Sequence, residues 1–253
     1  MTSQITSQFG TLYLIPNTLG VYGTDGAQDT LRAVLAPQVV ETTARLQHFV
    51  VETAKVARQF LKAVGTHTPL QELQLTELNV KTPDAAVKDM LAPLLAGHDV
   101  GLLSDAGCPA VADPGARLVE AAHAAGVRVV PLVGPSSLLL ALMGSGLNGQ
   151  KFAFHGYLPI DAAARLKEIK RLESESKAHA QTQLFIETPY RNMQLLDTLL
   201  KTLNANTQLC VAADLTLPSE TIRMHRVGEW QKRLKQGQGL ALNKRPSIFL
   251  FLA

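Results

Sequence analysis

The chain has 253 residues, 46% of them hydrophobic and 18% charged, with a net charge of +3. That length holds one large domain or two medium ones, and the balance is that of a soluble globular protein. The small basic excess permits nucleic-acid contact without arguing for it, and 5% aromatics weakens any scheme of stacked aromatic platforms for single strands.

Cys108 and Cys210 lie far apart, and the histidines are scattered without ligand spacing. Neither a disulfide framework nor a metal site is expected, and a reducing cytoplasm is the default. The opening MTSQITSQ is polar and lacks the apolar core of a signal peptide, and no apolar run is long enough to cross a bilayer. The expectation is a soluble intracellular protein.

In chain order, the apolar run 12–15 stops at Pro16 and reads as a buried strand followed by a loop. Residues 48–51 read as a strand and 53–64 as a helix, with apolar positions at Val56, Phe60, Leu61 and Val64. A helix over 84–96 follows Pro83 and closes at Gly97, and 100–103 is a strand. Asp113 and Pro114 then open a helix as N-cap and first residue, ended by Gly126. A strand over 127–133 precedes a helix starting at Pro135. Alternation of this kind predicts a parallel sheet with right-handed crossovers.

After Gly149 the pattern changes. Strands are read at 151–157, 184–186, 209–212, 221–227 and 247–252, with helices at 161–177 and 189–203. The last three strands have short connections and need not all be parallel. The fold class is therefore α/β in two domains. Residues 1–9 are a polar tail, 10–150 an N-terminal α/β domain with a mostly parallel sheet, and 151–253 a C-terminal α/β domain with a mixed sheet. The FHGYLP segment at 154–159 is read as the hinge.

Two loops carry the chemistry. SDAGCP at 104–109 follows a strand, where open α/β sheets bind ligands, and its small residues let backbone groups approach one closely. A tight turn tuned only for packing is the plain alternative. GPSS at 134–137 follows the next strand and opens a helix, whose free N–H groups suit a carboxylate or polar edge; a core-helix cap is the alternative. Together the two turns form one pocket. The dinucleotide and P-loop glycine fingerprints are absent, so phosphate binding is not favoured.

The run SDAGCPAVADPGARLVEAAHAAGVRVVPLVGPSS, followed by FAFHGYLP, resembles the tetrapyrrole methylase superfamily, and within it the ribosomal-RNA small-subunit methyltransferase I family. LYLIP, HFVVETAKVARQFL, LFIETPYR and CVAADLT extend the resemblance over nearly the whole chain. It implies two α/β domains, usually in a homodimer, with S-adenosylmethionine in the cleft between them. Carried over residue by residue, cofactor contacts are expected from Pro16, Ser104, Asp105, Gly107, Cys108, Val111, Ser136 and Ser137. From the second domain come Glu187, Ala213, Pro246 and Ser247. An ammonium and a sulfonium suit a loop holding Asp105 better than a phosphate does.

The chain departs from the family where substrate should bind. Glu52-Thr53-Ala54-Lys55 stands for Glu-Asp-Thr-Arg, and Ala213-Asp214-Leu215-Thr216-Leu217 for Arg-Glu-Leu-Thr-Lys; His155 replaces a glutamate. Lysine does not reproduce the bidentate grip of arginine. The sequence stops at Ala253, and the expectation is that the C-terminal helical segment of many RNA-modifying members is missing. Glu52, Lys55, Glu187 and Arg191 are the catalytic candidates, for positioning the acceptor, each with a domain-interface salt bridge as its alternative. Lys232, Arg233, Lys235, Lys244 and Arg245 form a basic cluster, read as a solvated surface before a phosphate contact. The first expectation is a ribose 2′-O-methyltransferase of small-subunit ribosomal RNA. Methylation of a small tetrapyrrole-like molecule, or cofactor or RNA binding without turnover, are the alternatives.

Overall fold

The computed structural model describes residues 9–20 and 27–253. Apart from Phe9, the tail read at 1–9 lies outside the described residues. The chain divides into two compact units, Met1–Ser136 and Ser137–Ala253.

The first unit runs β1 (Thr11–Ile15), α1 (Ala27–Val34), α2 (Pro37–Ala44), β2 (His48–Val51), α3 (Ala54–Val64), β3 (Gln74–Glu77), α4 (Asp84–Asp89), α5 (Ala92–Leu95), β4 (Val100–Leu103), α6 (Ala116–Ala124) and β5 (Arg128–Pro131). Its strands pair in parallel in the order β3-β2-β4-β1-β5, as the alternation predicts. Side chains alternate across each strand and feed two cores. Ile15, Phe49, Val51 and Leu103 pack with Leu31, Val39 and Phe60 of α1 to α3. Leu12, Val50, Val100 and Leu102 pack with Val87, Leu94 and Leu118 of α4 to α6. Gly101 is required between these layers, since a Cβ there would meet Ile15 Cδ1 at 2.6 Å.

Two local expectations are corrected. The helix over 84–96 is broken into α4 and α5, because Pro93 has no N–H to donate and its ring crowds the carbonyl of Asp89, where α4 ends. Asp113 and Pro114 do not open α6. The helix starts at Ala116 with Gly115 as N-cap at φ +137°, a conformation that favours glycine, and the Asp113 side chain caps nothing. The end of this helix is as read, with Gly126 at φ +73°.

The second unit runs α7 (Ser137–Ser145), β6 (Phe152–Tyr157), α8 (Ala162–His179), β7 (Thr182–Ile186), α9 (Asn192–Thr202), β8 (Gln208–Ala213), β9 (Thr221–Arg226), α10 (Val227–Lys235) and β10 (Ser247–Leu252). Its sheet is mixed, in the order β6-β7-β10-β8-β9, with only β6 and β7 parallel. Phe185, Leu209, Val211, Phe249 and Phe251 face Ile169, Leu172, Leu196, Leu199 and Trp230 from α8 to α10. The Trp230 indole N–H donates to Leu209 O at 2.9 Å, so the ring is buried with its polar edge satisfied. Residues 154–157 of the segment read as a hinge belong to β6, inside this unit, and His155 Nε2 lies 2.6 Å from Gln183 Oε1 of β7.

Candidate functional site

Because the first sheet is parallel, the loops after β1, β2, β4 and β5 all emerge at one end. β1 and β4 are neighbours, yet the helices that follow β1 join one core and the helix that follows β4 joins the other. Adjacent strands whose connections part toward opposite faces leave a crevice at their carboxyl ends, the usual ligand position in such sheets.

The β1 and β4 loops are laced together there. Asn17 N donates to Gly107 O at 2.8 Å, and Gly107 N to Thr18 O at 3.3 Å. Asn17 Nδ2 donates to the carbonyls of Ser104 and Asp105, each at 3.1 Å. Sequence reasoning passed over Asn17; the available signal was a polar residue directly after a buried strand and a proline. Gly107 has φ +66°, which the close crossing over Thr18 requires. The β5 loop presses on the same place: a Cβ on Gly134 would overlap the Pro16 ring, and the Cys108 thiol donates to Pro135 O at 3.4 Å.

Three carboxylates gather on these loops. Glu52 Oε2 accepts from Asp105 N at 3.0 Å, and Asp105 Oδ2 accepts from Thr53 Oγ1 at 2.8 Å. Among the described residues, none of Glu52, Asp105 and Asp113 is in an ion pair. Burial lifts the Asp113 pKa to about 6, the Glu52 charge adds to the rise, nearby Ser104 opposes it, and the Asp105 charge adds again. Burial also raises Glu52, with the Asp105 charge adding and the Asp105 N–H opposing. Burial and then the Asp113 charge raise the Cys108 pKa, which keeps it a thiol rather than a nucleophilic thiolate. Ser104 is 3% exposed, and beyond the neighbouring Asp113 carboxylate its hydroxyl reaches no partner among the described residues.

Further along this loop Ala110 and Ala112 have φ of +66° and +62°, conformations alanine rarely holds, and they bracket the exposed Val111. Asp113 and Ala112 also line a shallow cavity of about 310 Å³ with Asn79, Val80 and Arg117. A cavity of about 570 Å³ lies elsewhere, lined by the amino-terminal starts of β2 and β4 through His48 and Val100. Of the residues predicted in this unit, Pro16, Ser104, Asp105, Gly107, Cys108 and Glu52 converge. Val111 and Ser136 flank them on the same loops, and Lys55 is exposed in the first turn of α3.

The residues predicted in the second unit collect at one end of its sheet. Ala213 ends β8 and pairs with Ser247, the first residue of β10, while Ile248 pairs with Ile186 just before Glu187. Pro246 O accepts from Asp214 N at 3.0 Å, and the Ser247 hydroxyl donates to Arg245 O at 3.0 Å. The Glu187 carboxylate, buried, accepts from Thr188 N and Arg191 Nη2, both at 2.6 Å, and from Arg191 Nε at 3.1 Å. Two of the residues expected from sequence to position the acceptor, Glu187 and Arg191, thus form an ion pair within a single unit. Arg245 Nε donates to Asp214 Oδ2 at 2.7 Å, and its Nη2 to Ser219 O and Thr221 Oγ1. Arg233 pairs with Glu229 at 3.0 Å, so two members of the basic cluster have acidic partners. Ser137 is the first residue of α7, which packs on β8, β9 and β10.

Residues 26–231 match the family of Tetrapyrrole (Corrin/Porphyrin) Methylases. The chain belongs to this family. The methylase is 32% identical over 234 residues to ribosomal RNA small subunit methyltransferase I of Escherichia coli O157:H7, covering 90% of this chain and 73% of that one. It is also 32% identical over 213 residues to the protein of the same name from Xylella fastidiosa, covering 84% and 71%. Among solved structures it is similar to the methyltransferase CobJ, with a TM-score of 0.59 at 18% identity, covering 95% and 93% of the two chains. The uroporphyrin-III-C-methyltransferase from Thermus thermophilus has a TM-score of 0.52 at 21% identity, covering 96% and 92%. At those identities the structures establish the two-domain α/β fold. The family and the named relatives together make the protein a methyltransferase.

Proposed function

We propose that this methyltransferase transfers a methyl group from S-adenosylmethionine to a ribose 2′-hydroxyl of small-subunit ribosomal RNA. The observation that carries the reading is its likeness, over 90% of its length, to a relative named for that ribosomal RNA.

The residues present fit the donor. A carboxylate cluster without an ion pair suits a ligand bearing an ammonium and a sulfonium, and the buried Ser104 hydroxyl, with only Asp113 beside it, suits a polar edge of it. When bound, the donor supplies an electrophilic methyl group. The proposed contacts are Pro16, Ser104, Asp105, Gly107, Cys108, Val111 and Ser136 from the first unit, with Ser137, Ala213, Pro246 and Ser247 from the second. Asn17 holds the β1 and β4 loops in register, so loop carbonyls and N–H groups are fixed before the ligand arrives. Lys55, and Arg191 oriented by Glu187, supply cations for phosphates beside the acceptor ribose; Glu52 steadies the Asp105 backbone. A homodimer in the cytoplasm, with the two domains enclosing the cofactor, belongs to the same reading and rests on the family likeness.

The test is tritiated methyl transfer into small ribosomal subunits, naked ribosomal RNA and a small-molecule extract. Label in ribosomal RNA, at a linkage that resists alkaline hydrolysis, supports the proposal. Label confined to small molecules, or no label in any fraction, overturns it.

A further inference from the structure

The carboxylates of the first unit differ in what they are already doing. Glu52 accepts the Asp105 N–H, and Asp105 accepts the Thr53 hydroxyl, so both are engaged in fixing the loop. Asp113 pairs with no cation among the described residues, and the hydroxyl of Ser104 is its one hydrogen-bonding neighbour there. That hydroxyl is buried and reaches no other partner. Arg117, which lines the adjacent cavity, is committed to Asp84 at 2.5 Å. The loop that carries Asp113 holds two alanines at positive φ, a strained conformation kept where the surroundings over-determine it. Asp113 is thus a half-buried carboxylate beside two others, on a strained loop near the switch-point crevice, with no cation of the protein opposite it.

We propose that Asp113 reads the positive charge of the methyl donor and so separates the sulfonium form from its neutral, demethylated thioether product. The inference rests on the proposed use of S-adenosylmethionine. The two forms share the same ammonium, carboxylate, ribose and base, and differ at sulfur by one methyl and one charge. A carboxylate near the sulfur therefore holds the donor and loses that hold once the methyl has gone to the acceptor oxygen, the sulfur keeping the bonding pair and the hydroxyl giving up its proton. A carboxylate near the ammonium has no such preference. Asp113 favours turnover in this way, by weakening the grip on the product without weakening the grip on the donor. Its raised proton affinity in the free protein, near pH 6, has the same origin.

The test is calorimetric binding of S-adenosylmethionine and of S-adenosylhomocysteine to the wild type and to Asp113→Asn, with circular dichroism to confirm the fold. Expected is a loss of about tenfold in donor affinity with product affinity changed less than about twofold. Equal losses for both ligands place Asp113 at the ammonium and overturn the inference, as does no loss for either. Failure of the wild type to bind either ligand overturns the proposed cofactor, a different outcome from equal binding by the variant. A second readout uses carbon-detected NMR of the Asp113 carboxyl, which is flanked by Glu52, Asp105, Cys108 and Arg117. Saturating donor should lower its titration midpoint and saturating product should leave it near that of the free protein. The same midpoint in both complexes overturns the inference.

Discussion

The strand ends of the two units treat their acids in opposite ways. In the second unit Glu187 is locked to Arg191 and Thr188, and Asp214 to Arg245 and Ser219. In the first unit Glu52, Asp105 and Asp113 crowd together without a cation among the described residues, and burial makes Asp113 hold its proton up to about pH 6. Both ends carry backbone in left-handed conformations, at Ala110 and Ala112 in one and at Asp214, Thr216 and Lys244 in the other. In the second unit the strain is tied down by an arginine fork, and in the first it is left beside unneutralised charge. A fold gains nothing by itself from the second arrangement. The contrast separates a scaffold from the proposed receptor: one end pairs its charges within the protein, and the other is the end proposed to take the donor.

The largest expected effect comes from opening the paired end. Arg245→Met keeps the packing of the side-chain stem but leaves Asp214, 10% exposed at its side chain, without its partner. It should lower unfolding stability by about 3 kcal/mol in urea titration, since a buried carboxylate remains with only the Ser219 hydroxyl and no cation. Glu187→Gln keeps one acceptor for Thr188 but removes the charge that holds Arg191, and should cost about 1.5 kcal/mol. If both variants are neutral, the second unit is not held by these pairs and the contrast with the first collapses.

Much of this was legible in the sequence, and the failures have physical causes. Strands β1, β4 and β10 are apolar runs bounded by turn residues, so their positions follow from composition alone. β3 is an edge strand with exposed Gln74, Thr76 and Glu77, and gives no apolar run to read. Asp113 followed by Pro114 has the order of an N-cap and first helical residue. Only the tertiary path, which brings a positive-φ Gly115 to the cap, frees the carboxylate for the cluster. Asn17 finds its partners 87 and 88 residues away, a distance no local pattern reports. Glu187 and Arg191 were picked out by their motif, but their mutual pairing depends on burial at the end of an interior strand.

The receptor end should respond to charge removal in the reverse direction. The Asp113 pKa in the folded protein, about 6, stands above its ordinary 3.8. The folded state therefore binds this proton more tightly than the unfolded chain does, and ionised Asp113 destabilises the fold above pH 6. That penalty shrinks as pH falls through 6 and is gone below 3.8. Asp113→Asn should raise stability by about 1 kcal/mol at pH 8, allowing for solvent screening of a half-buried group, and by nothing measurable at pH 3.5. Thermal melts at the two pH values check this. A loss of stability at pH 8 means that Asp113 has a structural partner and that the two ends are alike after all.

The smallest effect isolates the strained backbone from the charge. Ala112 is exposed at φ +62°, so Ala112→Gly removes little packing. Relief of the left-handed strain, about 1 kcal/mol, is offset by the greater freedom that glycine gives the unfolded chain. Stability should then move by less than about 0.5 kcal/mol in either direction. Donor affinity behaves differently, because a loop that must be re-ordered on binding loses some of its preorganisation. It should weaken about two- to threefold in the same calorimetry used for Asp113→Asn. Unchanged affinity assigns the strain at Ala112 to chain geometry alone, and leaves the carboxylates as the only feature that sets this end apart from the other.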